Sequence, residues 1–371
     1  MIDPGFTTPT MAALFSPGAR VQAMLRVEAA LAISQAKAGI IPFEAADEIR
    51  IVCERVHPNP EGLLAQGWVA GTPVLPLLDY LHQQLSTHTA LCVHLGVTTQ
   101  DIVDTATIFQ LLSAATVLAQ QARVCADSLR THLATFGATP VVARSFLQPA
   151  EPTTFNLRGA NWLAPLVDAI DSLNRLSFPV QLGGAIGDRF GLLDDDGQGM
   201  ADELELDPCD VVWHTDRTPI VTIVQSIQQL VRWAAKVASD LVFLAQAGDA
   251  TMRAGRSTAM PDKRNPIDAI RALASAASFF GLSTVITAAA PHQLERGAGS
   301  WHAEWFALPL LAQTAAATLD AIGQALDSLV INAADVDVSD ERAQAAAFVA
   351  ARVIAKYDRG LGQQGADDGQ T

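Results

Sequence analysis

A short polar segment near residue 260 carries the residue types best suited to chemistry in this chain. Residues 255–266 read Gly-Arg-Ser-Thr-Ala-Met-Pro-Asp-Lys-Arg-Asn-Pro, which places the hydroxyl of Ser257 six positions before the ammonium of Lys263. Asn265 and Pro266 then begin a long apolar run and suit the N-cap and first turn of a helix. Because a helix N-terminus binds anions, we predict a loop that binds a carboxylate and moves a proton beside it. An ordinary polar loop before a capped helix is the alternative.

A second polar motif, His-Leu-Gly-Val-Thr-Thr-Gln-Asp over residues 94–101, precedes another apolar run. Thr98 or Thr99 is a natural N-cap, so this motif also predicts free backbone donors at the start of a helix. Together with Gln100, these side chains could hold a carboxylate by hydrogen bonds. Helix capping alone would also explain the two threonines.

Composition limits the classes of partner. The chain has 371 residues and a net charge of −15, which argues against nucleic acid and anionic membranes as partners. An anionic substrate must therefore meet a local cluster of cations, and residues 253–264 supply Arg253, Arg256, Lys263 and Arg264. Half of the residues are hydrophobic and only 6% are aromatic, which favours helices over a sandwich or barrel.

Cysteine and histidine give no sign of a cofactor. The four cysteines form no Cys-x-x-Cys pair, and the eight histidines are dispersed, so we predict neither a metal site nor a bound cofactor. Free thiols and the lack of an evident signal peptide favour the cytoplasm. Residues 272–291 contain no charge, yet their Ala, Ser and Thr content favours a helix in a protein bundle over a membrane span.

The periodicity predicts an all-α protein with a central bundle of five long helices. These helices are expected near residues 97–136, 157–176, 220–247, 266–289 and 304–332. In the third, a stripe at helical spacing predicts a buried face: Ile220, Val224, Ile227, Val231, Ala234, Ala238 and Leu241. We assign residues 1–96 to a small N-terminal helical domain and 97–335 to the bundle. We expect residues 336–371 to contain one helix, from Glu341 to Tyr357, and a disordered tail from Gly360. The family resemblance described below implies that this part is a truncated C-terminal domain.

The polar segment resembles the mobile loop of the fumarase/aspartase superfamily, Gly-Ser-Ser-x-Met-Pro-x-Lys-x-Asn-Pro. The resemblance implies that Ser257 is the catalytic base, that Lys263 and Asn265 bind a substrate carboxylate, and that Thr258 also lies at the substrate. Arg256 replaces the usual glycine, and Asp262 places an anion beside Lys263.

Two further motifs extend the resemblance. The Thr98–Gln100 stretch matches a substrate-pocket motif, which makes Thr98, Thr99 and Gln100 ligand contacts. Residues 144–155 match Arg-Thr-His-x-Gln-x-Ala-x-Pro-x-Thr, which adds Arg144, Ser145 and Gln148 to the substrate-binding residues. Phe146 stands where that pattern has His, and Phe cannot transfer a proton.

An aromatic at position 146 is similar to the 3-carboxy-cis,cis-muconate cycloisomerase branch of the superfamily. Two other stretches look like that branch: Trp-His-Thr-Asp-Arg over residues 213–217, and a run that begins with Glu295 and Arg296 and continues through Trp301, Glu304 and Trp305. The second stretch makes Arg296 a further substrate-binding residue.

The resemblance implies a cycloisomerase of aromatic catabolism in the protocatechuate/β-ketoadipate route, acting on a small di- or tricarboxylate without a cofactor. It also implies a homotetramer whose sites combine residues from different subunits. Two alternatives stay open: another lyase of the superfamily that breaks a C–N or C–O bond to leave fumarate or a related acid, and an inactive structural or binding homologue.

Overall fold

The molecule is built around long helices, and two small antiparallel sheets lie at its periphery. The structure is a computed structural model that describes residues 2–192, 197–256, 258–260 and 262–367. Ser257 and Pro261 lie outside the described residues, so the structure gives no position for the predicted catalytic base.

The N-terminal part consists of short helices that pack on one another and on the bundle. After a 3₁₀ turn at Pro4–Phe6, the helices are α1 (Pro9–Leu14), α2 (Pro17–Lys37), α3 (Phe43–Arg55), α4 (Pro60–Ala70), α5 (Val74–His82) and α6 (Thr87–Ala90). Ser16 caps α2 by accepting a hydrogen bond from the Ala19 backbone at 3.1 Å.

The five predicted long helices are present with small shifts of their ends. They are α7 (Thr99–Phe136), α8 (Phe155–Asn174), α10 (Thr218–Ala247), α11 (Ile267–Ala289) and α12 (Ser300–Asp327), and the short α9 (Gln198–Leu204) lies between the second and third. The predicted buried face of α10 is confirmed, since all seven residues of its stripe are at most 2% exposed.

The small sheets and the last helix complete the fold. Strands β1 (Pro140–Ser145) and β2 (Gln148–Thr154) form a hairpin between α7 and α8, and β3 (Ala250–Thr251) pairs with β4 (Val330–Ile331). The sequence pattern did not predict either sheet. Helix α13 (Asp340–Asp367) packs against α8.

Two sequence predictions differ from the structure. The prediction of a disordered tail from Gly360 is wrong for residues 360–367, because α13 continues through Asp367. No proline interrupts these residues, and extending an existing helix avoids the free-energy cost of nucleating a new one. Asn265 does not cap α11, because Pro266 occupies the N-cap. The Asn265 carbonyl instead accepts from the backbone of Gly255 at 2.9 Å, which closes the base of the loop.

The direction of the helices defines two ends of the bundle. Helices α7 and α12 run parallel, because Trp301 contacts Asp104 near the start of both helices and His132 contacts the Leu326 carbonyl near the end of both. Helix α10 runs the same way, whereas α8 and α11 run back. We call the end where α7, α10 and α12 begin the Thr98 end, and the end where they finish the Arg144 end.

Three helices are long and apolar enough to cross a membrane by length and composition alone. They are α7, α11 and α12, and the apolar windows of α7 and α12 are 67% and 72% buried inside the chain. The window of α11 is only 33% buried, so much of its apolar surface has no covering within one chain.

Candidate active site

The Thr98 end begins with the predicted helix cap. Thr98 is the N-cap of α7, and its backbone N–H donates to Asp101 Oδ2 at 2.9 Å in a capping box. The predicted cap is therefore confirmed. Thr98 and Thr99 are both half-buried at the start of α7.

Asp101 ties two loops to the start of α7. One of its oxygens accepts from His214 Nε2 at 2.7 Å, and its two oxygens accept from the backbone N–H groups of Gly183 and Gly184, each at 2.9 Å. Asp101 and His214 are almost completely buried. This agrees with a packing role for His214, and the contacts fix the walls around Thr98 before any ligand arrives.

Arg217 forms the centre of a buried ion cluster behind this cap. Its five N–H groups all donate: two to Asp104, two to Glu304 and one to the Trp213 carbonyl, over 2.6–3.2 Å. Burial alone would lower the pKa of Arg217, but the charges and hydrogen bonds of Asp104 and Glu304 raise it above its usual value. Arg217 is therefore a permanent cation held by two carboxylates.

Burial also shifts the pKa of two other titratable groups in this cluster, Glu304 and His292. Burial raises the pKa of Glu304, although Arg217 opposes that effect. Burial and the charge of Arg217 lower the pKa of His292, whose Nε2 lies 3.6 Å from Glu304 Oε1. The lowered pKa favours the neutral form of His292 beside Arg217.

Arg296 is joined to this cluster through Gln100. Gln100 is fully buried; its Nε2 donates to Asp104 Oδ2 at 3.0 Å and to the His214 carbonyl at 2.8 Å. Arg296 donates from Nη1 to Gln100 Oε1 and from Nη2 to the Ala185 carbonyl, each at 2.9 Å. Thr98, Thr99, Gln100 and Arg296 therefore lie at one end of the bundle, as a site for an anion would require.

Arg144, Ser145 and Gln148 lie at the opposite end. The Arg144 guanidinium donates from Nε and Nη2 to Asp249 Oδ2, at 3.2 and 2.9 Å, and lies over the ring of Phe243. Ser145 pairs with Gln148 across the tip of the hairpin, and both residues are exposed.

The hairpin tip places the aromatic residue that replaces His fully in solvent. Phe146 and Leu147 form its two-residue turn with φ values of 50° and 65°, and the Phe146 side chain is 98% exposed. Large side chains are unusual at positive φ, and a bare Phe at a tip has no packing within this chain.

The described residues on either side of position 257 also lie at the Arg144 end, where the Arg253 backbone donates to Ser328 Oγ at 3.0 Å. Thr258 and Lys263 are exposed, Asn265 is half-buried, and the Lys263 ammonium has no hydrogen-bond or ion-pair partner among the described residues. Nearby, Arg253 anchors the start of α11 by donating to Asp268 at 2.7 and 2.9 Å.

A single chain therefore brings the predicted site residues together in two separate groups. Helix α7 has 38 residues, or about 57 Å at the α-helical rise, and it separates the Thr98 group from the Arg144 and Lys263 groups. No substrate of a few carbon atoms can contact both ends of one chain.

Four charged or polar residues at the Thr98 end were not predicted to have a role from the sequence: Asp101, Asp104, Arg217 and Glu304. The available signal was the placement of carboxylates inside strongly apolar helices, which indicates paired buried charges. Their partners could not be inferred, because Asp104 and Arg217 lie 113 residues apart in the chain.

No metal site is visible in the part of the chain that the structure describes, where no group of three or more His, Cys, Asp or Glu side chains could hold an ion. The absence of a metal or cofactor stays a prediction. Arg296 at one end and Lys263 at the other are cations that an anionic ligand can reach, since Arg296 is half-buried and Lys263 is exposed.

Comparison with known proteins adds the last observations. A family model described as a lyase matches residues 5–280. The chain is 32% identical over 348 residues to a 3-carboxy-cis,cis-muconate cycloisomerase of Pseudomonas aeruginosa, covering 90% of this chain and 76% of the relative. A nitrosuccinate lyase of Streptomyces davaonensis is also 32% identical, over 335 residues, covering 82% of this chain and 70% of the relative. The crystal structure of the 3-carboxy-cis,cis-muconate lactonizing enzyme of Pseudomonas putida superposes with a TM-score of 0.81 and 29% identity, covering 95% of this chain and 78% of that one.

Proposed function

The chain belongs to the lyase family whose model matches residues 5–280, and on that premise we propose that it is a 3-carboxy-cis,cis-muconate cycloisomerase. The observation that carries this proposal is the 32% identity to a named cycloisomerase over 90% of the chain. The geometry of the Thr98 end supports it, because a cation beside a helix N-terminus suits a substrate with several carboxylates.

The proposed reaction moves atoms within one substrate molecule. An oxygen of a substrate carboxylate forms a C–O bond to one carbon of the diene, and the adjacent carbon takes up a proton, so a lactone forms and no fragment leaves. Negative charge builds up on another carboxyl group before the proton arrives. Lys263 and Asn265 would stabilise that charge, and Ser257 would deliver the proton.

The remaining predicted residues would bind the other carboxylates. Thr98, Thr99 and Arg296 supply donors from the Thr98 end, whereas Arg144, Ser145, Gln148 and Thr258 supply polar groups from the Arg144 end. No cofactor is required. We place the reaction in cytoplasmic catabolism of aromatic acids through the protocatechuate/β-ketoadipate route.

We also propose that the active form is a homotetramer in which each site joins opposite ends of different subunits. The length of α7 supports this, because the two groups of site residues cannot meet within one chain. The exposed side of α11 supports it too. A stripe at three- and four-residue spacing faces solvent in the single chain: Ile267, Ile270, Ala274, Ala277, Gly281, Thr284 and Ala288. Apolar and small residues at that spacing are typical of helices that pack closely against a second helix.

Gly281 offers a direct test of the assembly. A Cβ at this position would meet nothing within 4 Å in the single chain, so Gly281→Leu should leave the monomer fold intact. We expect it to shift the tetramer toward smaller species, measured by light scattering after gel filtration. Ala347→Leu, at an exposed position on α13, is the matched control. A tetramer unaffected by Gly281→Leu contradicts α11 as the contact surface.

Complementation tests the shared sites. Lys263→Met and Arg296→Met alter opposite ends, so mixed tetramers should contain some sites with both residues intact. We expect activity to return when the two inactive chains are co-expressed. Activity that stays at the level of the separate variants rules out sites shared in this way.

A lyase that breaks a C–N bond is the second candidate function, and the similarity to a nitrosuccinate lyase favours it over a lyase that breaks a C–O bond. The inactive homologue is the third, because Arg256 and Asp262 change the loop around Ser257.

One assay separates the three candidates. Purified protein is incubated with 3-carboxy-cis,cis-muconate, and loss of the diene is followed by ultraviolet absorbance while the product is identified by NMR. A lactone as the sole product, lost in Ser257→Ala, supports the proposal. Turnover of nitrosuccinate in place of the muconate supports the second candidate, and no turnover of either supports the third.

A further inference from the structure

We propose that Gln100 is a positioning residue that orients Arg296 toward the substrate, and that it does not itself bind the substrate. The catalytic consequence of this inference rests on the proposed function. The orientation itself follows from the hydrogen bonds of the buried cluster.

Asp104 has a carboxylate, which can only accept hydrogen bonds. Its Oδ1 accepts from Arg217 Nη2 at 3.1 Å and from Trp301 Nε1 at 2.8 Å. Its Oδ2 accepts from Arg217 Nη1 at 2.7 Å and from Gln100 Nε2 at 3.0 Å. The atom of Gln100 that faces Asp104 must therefore be a donor.

The other contacts of Gln100 fix the orientation of its side-chain amide. The same nitrogen of Gln100 also meets the His214 carbonyl at 2.8 Å, which again can only accept. Both N–H bonds of the amide are then in use, and the side chain is completely buried. Only the Oε1 atom is left for another partner, and it accepts from Arg296 Nη1. Flipping the amide would set an oxygen against two acceptors and a nitrogen against a guanidinium.

Arg296 keeps N–H donors that its contacts within the chain do not use. A guanidinium has five N–H donors, and here one goes to Gln100 and one to the Ala185 carbonyl. Nε and one N–H on each terminal nitrogen have no partner among the described residues. Because the side chain is only half-buried, these remaining N–H groups can donate hydrogen bonds to a substrate carboxylate.

A neutral amide suits position 100 better than a carboxylate would. A carboxylate in place of Gln100 would face the carboxylate of Asp104 on one side and would pair with Arg296 directly on the other. Arg296 would then attract an anionic substrate less. A glutamine orients the guanidinium and leaves its charge available to the ligand.

A double-mutant cycle tests the inference. The variants are Gln100→Met, Arg296→Met and the double variant, with Gln110→Met as a matched control. Gln110 is a buried glutamine on the same helix whose Nε2 donates to the Leu14 carbonyl at 2.7 Å, away from Arg296. Two quantities are measured: KM and kcat for the muconate, and the Kd for tricarballylate, a saturated tricarboxylate that binds without reacting.

We expect Gln100→Met to raise KM and the tricarballylate Kd about 10-fold, as the loss of one charged hydrogen bond implies, with a smaller change in kcat. In the Arg296→Met background, Gln100→Met should add nothing further, because its effect passes through Arg296. Gln110→Met should change neither quantity.

Additive effects of the two substitutions would overturn the inference, because they would mean direct contact between Gln100 and the ligand. An unchanged Kd for tricarballylate in Gln100→Met would overturn it as well. So would a failure of the wild type to bind tricarballylate. If Gln100→Met does not fold, Gln100→Glu keeps the shape of the side chain and should raise the Kd by a similar factor, and an unchanged Kd overturns the inference. If the cycle holds for tricarballylate but the muconate is not turned over, the proposed function fails and the positioning role stands.

Discussion

The two ends of the bundle differ in how their central charged groups are paired within the chain. At the Thr98 end, Arg217 uses all five donors and Asp104 uses every acceptor position on buried protein partners. At the Arg144 end, the Lys263 ammonium has no hydrogen-bond or ion-pair partner among the described residues, and the Phe146 side chain is almost fully exposed. We infer from this difference that the Thr98 end of the proposed site is rigid before the substrate binds. The Arg144 end needs the substrate or a second chain to supply contacts for its exposed groups.

Arg217→Met should give the largest effect and distinguish the two ends by stability. It leaves two buried carboxylates without a counter-charge, which typically costs about 3–5 kcal/mol. Arg144→Met removes a partly exposed pair at the other end and should cost about 0–1 kcal/mol. Urea unfolding at one fixed protein concentration measures both. Equal losses would contradict the contrast between the ends.

Lys263→Met should give the reverse pattern, with little loss of stability and a large loss of activity. The side chain is exposed, so its removal should leave the urea midpoint unchanged. Removing a donor that stabilises charge in the transition state typically lowers kcat by about 100- to 1,000-fold. Arg264→Met removes a neighbouring exposed charge from the same loop and should keep most of the activity. Similar losses of kcat in both variants would mean that Lys263 acts only through the overall positive charge of the loop.

Leu147→Gly should act through the backbone of the hairpin tip. A leucine at φ 65° is strained and glycine is not, so the variant should stabilise the fold by about 1 kcal/mol. Its effect on the urea midpoint is best measured in the Gly281→Leu background, where subunit contacts contribute less. A loss of stability there would show that Leu147 has packing partners within its own chain.

His94 should give the smallest effect, visible as a pH dependence. Burial opposes protonation, but the charge of Glu28 and its 2.7 Å contact with Nδ1 raise the pKa of His94 overall. A raised folded pKa stabilises the fold below the unfolded value, near 6.5, and this contribution disappears as pH rises through the folded pKa. The stability difference between wild type and His94→Gln should therefore shrink from pH 5.5 to 8.5, measured by urea unfolding. A difference that grows with pH contradicts the assignment.

The fold was largely predictable because it depends on regular spacing. The stripe from Ile220 to Leu241 predicted the buried face of α10, and the Thr98 motif predicted the start of α7 within one residue. The likeness to the Pseudomonas putida enzyme confirms the fumarase/aspartase-like class. The hairpin was missed, because a turn made by Phe146 and Leu147 lacks the Gly or Asn that usually marks it.

The site was only partly predictable because its contacts link distant parts of the chain. The resemblance selected Gln100 and Arg296, which lie 196 residues apart and are in contact. The resemblance could not reveal that the amide nitrogen of Gln100 donates to Asp104 and His214. The direction of a hydrogen bond depends on neighbours in the fold, which the spacing of residues does not show. The roles of Ser257, Lys263 and Asn265 stay predictions.

The length of α7 has a consequence for how this protein can change over time. One inserted residue would rotate everything beyond it by about 100° around the helix axis and shift it by about 1.5 Å. Thr98 at one terminus and the β1 strand at the other would then no longer face their present neighbours together. Point substitutions can accumulate along this helix, but insertions and deletions within it should be eliminated by selection.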